Sequence, residues 1–183
     1  MRTRILEEAT RLFTIYGYTG ISMREIAEAV GVSKAGLYYH FKDKEELFLA
    51  ILYDALRRVE QVVTGAVAAS PHARGQIEAL VRGLLAEPAD QRALIRLAGH
   101  EIAHLGPAAR ADFGQRYQQQ FIGLVAALLQ GCIARGELRP AEPQTLTWLL
   151  LGMLYPFLTQ GGANPAEATV ATLIEVFFHG AEA

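Results

Sequence analysis

The chain has 183 residues, of which 51% are hydrophobic, enough to bury the core of one compact unit or of a small module fused to a larger one. Its single cysteine excludes an intramolecular disulfide framework, and its net charge of −2 excludes an overall basic surface. The N-terminal residues are charged, and the most apolar stretch, Leu146 to Leu158, is shorter than the ~20 residues of a bilayer-spanning helix. We therefore expect a cytoplasmic chain with no signal peptide and no membrane span.

The first two predicted helices follow from apolar spacing and from residues that can cap a helix. Apolar side chains recur on one stripe from Arg2 to Tyr16, and Gly17 ends that helix. Ser22 can accept a hydrogen bond from a free backbone N–H, and Glu25 three positions later completes a capping box. The helix that begins there is predicted to end at Gly31, where a turn needs a residue that tolerates positive φ.

A third short helix is predicted from Lys34 to about Tyr39, with Ser33 as its cap. A helix of this length is unstable alone and must rest on its neighbours, which leaves its outer face free. The residues of that face are small and basic at one end and aromatic and polar at the other: Lys34, Ala35, Gly36, Tyr38, Tyr39 and His40. Two short helices joined by a glycine turn are how many proteins place one helix in the major groove of DNA.

A long helix is predicted to follow, from Lys44 to about Ala68. Asp43 can cap it, and Glu46 occupies the position that completes a second capping box. The positive end of this helix, with Lys44 in its first turn, is a candidate site for a DNA phosphate.

In these features the chain resembles the tetracycline-repressor (TetR) family of transcription regulators. The resemblance covers roughly residues 2–50, about a quarter of the chain. It rests on Ser22, Ile26, Ala27, Gly31, Val32, Ser33, Leu37, Tyr38, His40, Phe41, Lys44 and Leu47. It implies a repressor that binds a palindromic DNA operator as a homodimer and is released by a small, largely apolar effector. It implies no cofactor, no catalytic residue and no metal ligand.

Residues 1–50 carry seven basic and seven acidic side chains. A DNA-binding surface therefore requires that the basic side chains lie on one face and the acidic ones on others. We expect the acids to point away from DNA, and we expect a shallow salt dependence of binding, since few counterions are released per half-site. Lys34 is the candidate for bidentate contact with guanine. The predicted DNA-binding residues are Ser22, Arg24, Lys34, Ala35, Gly36, Tyr38, Tyr39, His40 and Lys44.

The remainder of the chain is predicted to be helical, with no strand alternation and no repeat. Capping residues, glycines and prolines place further helices at about 72–86, 91–105, 108–135, 143–160 and from 165 onward. The sequence thus predicts an all-α fold of about nine helices. Residues 1–46 form a three-helix helix-turn-helix DNA-binding domain, and residues 47–183 form a helical ligand-binding and dimerisation domain.

The eighth and ninth predicted helices are apolar on nearly every side, which indicates burial on more than one side. In a two-fold dimer the pair would pack against its copy as a four-helix bundle, the way TetR-like regulators dimerise; the alternative is ordinary core. A dimer would also let two recognition helices reach successive major grooves, ~34 Å apart.

A body like that of the family would hold a small-molecule pocket between the predicted fifth, seventh and eighth helices. Its candidate lining is His100, His104, Tyr117, Phe121, Leu124, Trp148, Gly152 and Tyr155. Few of these side chains are charged, so an apolar or aromatic effector fits best. Filled core is the alternative for each of them.

One motif points to a different class of protein. His100, Glu101 and His104 spell H-E-x-x-H, the helix signature of zinc peptidases. That chemistry needs a third ligand, and the sequence lacks the third histidine of the extended motif. The favoured interpretation is that both are ordinary helix histidines. A role in binding a metal or a polar effector is a second interpretation, and a zinc-dependent peptidase is the alternative function. An adaptor that uses the helix-turn-helix for protein contact is a third class.

Overall fold

A computed structural model describes residues 1–92, 101–159 and 165–181 of the protein. All regular structure in those ranges is helical, and they contain no strand. The predicted all-α class is therefore confirmed.

Four helices follow the predicted pattern in the N-terminal part. They are α1 (Arg2–Tyr16), α2 (Met23–Val30), α3 (Lys34–His40) and α4 (Lys44–Ala69). The observed ends lie within one residue of the predicted ones, because capping residues and glycines mark nearly every end. The first three helices and the first turns of α4 form a small unit, called here the reading module. The rest of α4, at ~1.5 Å per residue, runs on into the body of the protein.

The body contains five further helices within the described residues. They are α5 (Ala73–Ala86), α6 (Pro107–Tyr117), α7 (Gly123–Ala134), α8 (Pro143–Thr159) and α9 (Glu167–Ala181). The helix predicted over 91–105 lies largely in 93–100, outside the described residues. Residues 89–92 are helical, and Ile102–His104 form one 3₁₀ turn.

The predicted single helix over 108–135 is in fact two α-helices joined by a π turn over Gln118–Ile122. The Gly123 N–H donates to the carbonyl of Gln118, five residues earlier. A Cβ on Gly123 would lie 3.0 Å from that carbonyl oxygen, so glycine permits the close approach that the wide turn needs. Apolar spacing predicted the continuous rod but not the extra residue in its middle, where π turns are often functional.

The core of the reading module is an aromatic cluster that includes the start of α4. Phe13 of α1 meets Phe48 of α4 edge to face, with ring centroids 5.2 Å apart, and Tyr18 lies 5.1 Å from Phe48. Leu37 and Phe41 are buried as well. Because Phe48 belongs to α4, the module is built directly onto the long helix that enters the body.

Helix α4 is the central element of the body. A Cβ on Gly83 of α5 would lie 2.6 Å from Cγ1 of Val62, so the two helices pack closely at this point. On another side, Tyr53 donates a hydrogen bond to Asp112 of α6, and the Arg116 guanidinium lies 4.8 Å from the Tyr53 ring. Burial and the Asp112 carboxylate raise the pKa of Tyr53 to about 12. Polar and apolar contacts thus join α4 to the helix that leads into the π turn.

Helices α8 and α9 each bury one face and leave apolar residues on the other. On α8, Leu150, Leu154 and Leu158 are buried, whereas Trp148 and Tyr155 are 48% and 51% exposed. On α9, Val176 is 57% exposed. Among the described residues, no helix combines the length and the apolar character that a membrane crossing requires.

Two glycines of this part of the fold should respond in opposite ways to substitution by alanine. Gly31 ends α2 with φ 73° and ψ 37°, a left-handed conformation in which a Cβ is strained. Gly65 lies inside α4, and a Cβ there would meet nothing within 4 Å. We expect Gly31→Ala to lower the free energy of unfolding by about 1–2 kcal/mol. Gly65→Ala should raise it by about 0.5–1 kcal/mol. Urea denaturation followed by circular dichroism measures both, and destabilisation by Gly65→Ala would contradict the helix assignment.

Candidate nucleic-acid interface

The start of α2 is fixed by the predicted capping box. The Glu25 N–H donates to Ser22 Oγ at 3.3 Å, and the Ser22 N–H donates to Glu25 Oε2 at 2.8 Å. The Ser22 hydroxyl also donates to Glu25 Oε2, at 2.6 Å. These bonds lower the pKa of Glu25, so the box stabilises α2 at neutral pH and loses this effect as the pH falls below ~4.3. The Ser22 hydroxyl would have to leave Glu25 in order to donate to a DNA phosphate.

The end of α2 is held by α1. The Arg4 guanidinium of α1 donates to the carbonyl of Val30, one of the carbonyls that a helix end leaves without a partner. Gly31 then turns the chain, and the Val32 N–H donates back to the carbonyl of Ala27 at 3.0 Å. The angle between α2 and α3 is therefore set by backbone bonds and by Arg4, not by the exposed residues of α3.

Helix α3 presents the surface that the sequence predicts. Leu37 is fully buried, while Lys34 and Ala35 are exposed. Ser33 Oγ accepts the Gly36 N–H at 3.0 Å, and a Cβ on Gly36 would lie 3.2 Å from that oxygen. Gly36 thus lets the cap sit close to the helix. The start of α3 therefore carries small side chains and one cation, so its backbone can come close to the base edges in a DNA groove.

The far end of α3 is aromatic and exposed. Tyr39 is 86% exposed and its ring meets His40 edge to face at 5.3 Å. The ammonium of Lys34 lies 5.8 Å from the ring of Tyr38, which is 42% exposed. Large exposed aromatic side chains with hydroxyl tips can pack along a sugar-phosphate backbone and donate to it.

Two residues that were not predicted as DNA contacts, Arg2 and Ser33, lie beside this surface. The Arg2 guanidinium packs over the ring of Phe41 at 5.1 Å, so an exposed cation from α1 stands at the end of α3. The Ser33 hydroxyl uses an oxygen lone pair for capping, which leaves its proton available for a phosphate. Apolar periodicity marks neither residue as a DNA contact, and only the tertiary fold brings Arg2 to the ring of Phe41.

Lys44 begins α4 as predicted, but its side chain turns toward the loop between α1 and α2. Its ammonium donates to the carbonyls of Tyr18 at 2.7 Å and Ile21 at 3.0 Å, and it sits 4.6 Å from the Tyr18 ring. Lys44 thus holds the loop between α1 and α2. A phosphate contact would add to that structural role.

The ion pair of Arg24 is exposed, whereas the acids at the start of α4 are hydrogen-bonded to the backbone. Arg24 Nε lies 3.8 Å from Glu28 Oε1, and both side chains are more than two-thirds exposed, so the pair is weak and gives way easily to a phosphate. Asp43 Oδ1 instead accepts the Glu46 N–H at 2.8 Å, and Glu46 Oε2 accepts the Lys42 N–H at 2.9 Å. The second predicted capping box therefore closes one residue upstream of its cap.

The candidate effector residues fall into separate groups. Tyr117 and Phe121 meet edge to face at 5.6 Å beside the π turn, Phe121 is buried, and Leu124 is half-buried. Burial, and after it the proximity of Tyr155, raise the pKa of Tyr117. Tyr117 and Phe121, together with Leu124, are called here the aromatic group, and the π turn that carries Phe121 packs against α4. Another three, Trp148, Gly152 and Tyr155, lie on the exposed face of α8.

His104 lies at the reading module, not beside the aromatic group. Its ring stacks on Tyr18 with centroids 6.3 Å apart, and its Nε2 is 3.7 Å from Glu101 Oε2. Glu101 Oε2 also accepts the Tyr18 N–H at 3.2 Å, so the residue that a zinc peptidase would need as a base is hydrogen-bonded to the backbone. His100 lies outside the described residues.

Comparison with known families assigns both parts of the chain. Residues 5–51 match the family model described as bacterial regulatory proteins, tetR family. Residues 70–180 match the model described as the C-terminal domain of tetracyclin repressor-like proteins. The first match covers the module just described except for the first residues of α1, and the second covers most of the body.

Individual relatives agree along nearly the whole chain. The transcriptional repressor AcnR of Corynebacterium glutamicum is 29% identical over 179 residues, covering 95% of this chain and 90% of that protein. The structure of AibR in complex with isovaleryl coenzyme A and operator DNA has a TM-score of 0.79 at 25% identity, covering 96% of each chain. PfmR from Thermus thermophilus, a TetR family regulator, has a TM-score of 0.76 at 26% identity, covering 95% of this chain and 94% of that chain.

Three lysines of the module should separate sequence reading from general attachment to DNA. Lys34→Ala should relax specificity at one base pair, with a loss of about 1–3 kcal/mol on cognate DNA. Lys44→Ala should weaken binding to all sequences alike and should also lower the melting temperature, because it frees the loop between α1 and α2. Fluorescence anisotropy on cognate and scrambled duplexes, with thermal melts, measures both effects.

Lys42→Ala is the matched control for charge, since Lys42 is an exposed lysine two residues from Lys44. It removes one positive charge without touching the loop, so it should weaken binding to all sequences slightly and leave the melting temperature unchanged. Equal losses on cognate and scrambled DNA for Lys34→Ala and Lys44→Ala would contradict the division of roles.

Proposed function

We propose that this chain, which belongs to the tetR family of bacterial regulatory proteins, is a transcriptional repressor that binds a palindromic operator as a homodimer and is released by a small effector. The observation that carries the proposal is the exposed start of α3, which stands on a capped helix-turn-helix and whose cation, Lys34, forms no ion pair within the described residues. Relatives named as repressors support the same activity.

The proposed DNA contacts divide by chemistry. Lys34, Ala35 and Gly36 face base edges, and Lys34 donates to a guanine. The remaining proposed residues contact or position the backbone: Ser22, Arg24, Tyr38, Tyr39, His40 and Lys44, with Arg2 and Ser33 added from the structure. Two such surfaces, one helical turn of DNA apart, match the symmetry of a palindrome.

The proposed dimer interface is the exposed face of α8 and α9. Trp148, Leu149 and Tyr155 lie on this side of α8, and each is about half exposed. On α9 the exposed face carries Val176 and small residues such as Ala168 and Thr172, which allow close helix approach. A contiguous exposed apolar face of this kind marks an interaction site.

The proposed effector site is the aromatic group beside the π turn. Tyr117, Phe121 and Leu124 offer an apolar surface with one hydroxyl, so an apolar or aromatic ligand fits best. The complex of AibR with isovaleryl coenzyme A makes a short acyl thioester the first probe to test. An effector that prefers the wrong spacing of the two modules would lower DNA affinity by differential binding.

We propose a regulatory and not a catalytic role for the H-E-x-x-H motif. Glu101 Oε2 accepts the Tyr18 N–H, so one oxygen of the carboxylate that a peptidase would use as a base is bonded to the backbone. Within the described residues, no group of three potential ligands is arranged to hold a metal ion. Stoichiometric zinc in the purified protein, lost in His100→Ala, would favour the peptidase alternative instead.

The proposed DNA binding is tested on the DNA immediately upstream of the protein's own coding region. Anisotropy across a salt series should give a dissociation constant of about 10⁻⁸ M or lower against a scrambled control. The salt slope should correspond to only a few counterions per half-site, because acids and bases balance in residues 1–50. Salt-independent or sequence-independent affinity would favour the adaptor alternative.

The proposed dimer face is tested by two matched substitutions. Val176→Glu places a charge on α9 at the proposed interface, and Val67→Glu places one on α4 at a similarly exposed position, 57% against 47%. Burial of an unpaired charge is costly, so Val176→Glu should raise the dimer dissociation constant at least tenfold, or ~1.4 kcal/mol. Val67→Glu should leave it unchanged.

Sedimentation equilibrium measures the dimer constant of both variants. Emission of Trp148, the single tryptophan of the sequence, gives an independent signal, because its environment changes if the dimer forms through α8. A dimer of unchanged stability in Val176→Glu would contradict the interface.

A further inference from the structure

Two hydrogen bonds join the ends of the segment from Glu101 to Gly106 to the reading module. Glu101 lies against Tyr18 in the loop between α1 and α2, and Gly106 lies against Glu45 in the first turn of α4. The proposed function uses none of these residues in DNA or effector binding. We call the two carboxylate bonds together the clasp.

The first bond of the clasp runs from the module to the body. Glu101 Oε2 accepts the Tyr18 N–H at 3.2 Å, and the Glu101 side chain is only 20% exposed. Gly17 has φ 73°, and a Cβ there would lie 3.0 Å from Glu101 Oε1. The carboxylate thus sits close against the loop backbone, at a residue that has no side chain to obstruct it.

The second bond runs in the opposite direction. Glu45 Oε2, from the module, accepts the Gly106 N–H of the body at 2.7 Å. A Cβ on Gly106 would lie 3.3 Å from the same oxygen. Gly106 directly precedes Pro107, the first residue of α6, so this bond fixes the start of the helix that leads to the π turn.

The loop that the clasp holds is tied to the DNA-reading surface. Lys44 donates to the carbonyls of Tyr18 and Ile21, at the two ends of that loop. Ser22, the next residue, caps α2. A shift of the loop is therefore passed to α2, and through the glycine turn to α3.

We propose that Glu101 and Glu45 are positioning residues that fix the orientation of the reading module on the body and thereby determine which half-site spacing the dimer accepts. The proposal rests on the proposed function, since spacing has meaning only for a dimer on a two-fold operator. Two carboxylate bonds at separate points, on the loop and on α4, resist rotation of the module more than the aromatic core alone. Charge-assisted bonds to backbone N–H groups are stronger than neutral ones, which suits them to this role.

The test measures affinity for a set of operators whose half-sites are one or two base pairs closer or farther apart than in the preferred duplex. The variants are Glu101→Ala, Glu45→Ala and the conservative Glu101→Gln, with Glu60→Ala as a control that removes a carboxylate of α4 outside the clasp. Wild type should discriminate between spacings by at least tenfold. Each clasp variant with alanine should lose five- to tenfold on the preferred spacing and less than twofold on the others.

Glu101→Gln keeps an oxygen that can accept the Tyr18 N–H and should retain the spacing preference, as should Glu60→Ala. A purely structural role would instead lower the affinity for all spacings in proportion. Such a uniform loss, or an unchanged preference in Glu101→Ala, would overturn the proposal. Thermal melts show whether each variant folds. If Glu101→Ala does not fold, the spacing preference of Glu45→Ala, which breaks the other bond of the clasp, tests the proposal.

A second measurement needs no DNA. Amide hydrogen exchange at Tyr18 and Gly106 should be slow in the wild-type protein and should rise at Tyr18 in Glu101→Ala and at Gly106 in Glu45→Ala. Fast exchange at both amides in the wild type would overturn the clasp itself. Slow exchange together with no DNA binding by the wild type would leave the clasp in place and contradict the proposed function, so the two failures are distinguishable.

Discussion

The reading module depends on side chains that satisfy the backbone groups at the ends of two very short helices. Helices α2 and α3 have 8 and 7 residues, lengths at which a helix is unstable without its neighbours. Ser22 and Glu25 close one end of α2, and Arg4 holds the other. Ser33 caps α3. Because these partners all lie at helix ends or on α1, the bonds that hold the ends of α2 and α3 do not use the outer face of α3. That face is free to vary with the DNA sequence it reads.

The same chemistry explains how a module with balanced charges can face a polyanion. Most of its acids are committed to backbone N–H groups: Glu25, Asp43, Glu45 and Glu46 each accept at least one. Their negative charge is placed at helix starts and at the junction with the body, where it stabilises the fold. The exposed basic side chains are therefore left to set the charge of the surface that faces DNA. The number of charges therefore matters less than which of them are bonded to the backbone.

The sequence predicted the parts of the fold that depend on local rules. Capping residues and glycines placed the ends of α1 to α4 within one residue of those observed. What it missed depends on packing. No local rule shows that the Lys44 ammonium turns back to two loop carbonyls, or that Arg2 reaches the ring of Phe41. The H-E-x-x-H pattern likewise predicted chemistry from spacing alone, whereas Glu101 has a backbone partner 83 positions earlier in the chain.

The candidate effector residues divide into a more buried and an exposed group, and this division connects the proposed effector site to the proposed dimer face. Tyr117 is half-buried at the end of α6, whereas Tyr155 stands on the exposed face of α8 that we propose for the dimer. Burial, and after it the nearby Tyr155, raise the pKa of Tyr117. A ligand that displaces Tyr117 would therefore disturb α8, which carries the proposed dimer face, and also α6, whose start is bonded to Glu45. In the proposed scheme, one bound molecule would act on both the angle between the two bodies of the dimer and the orientation of each module on its body.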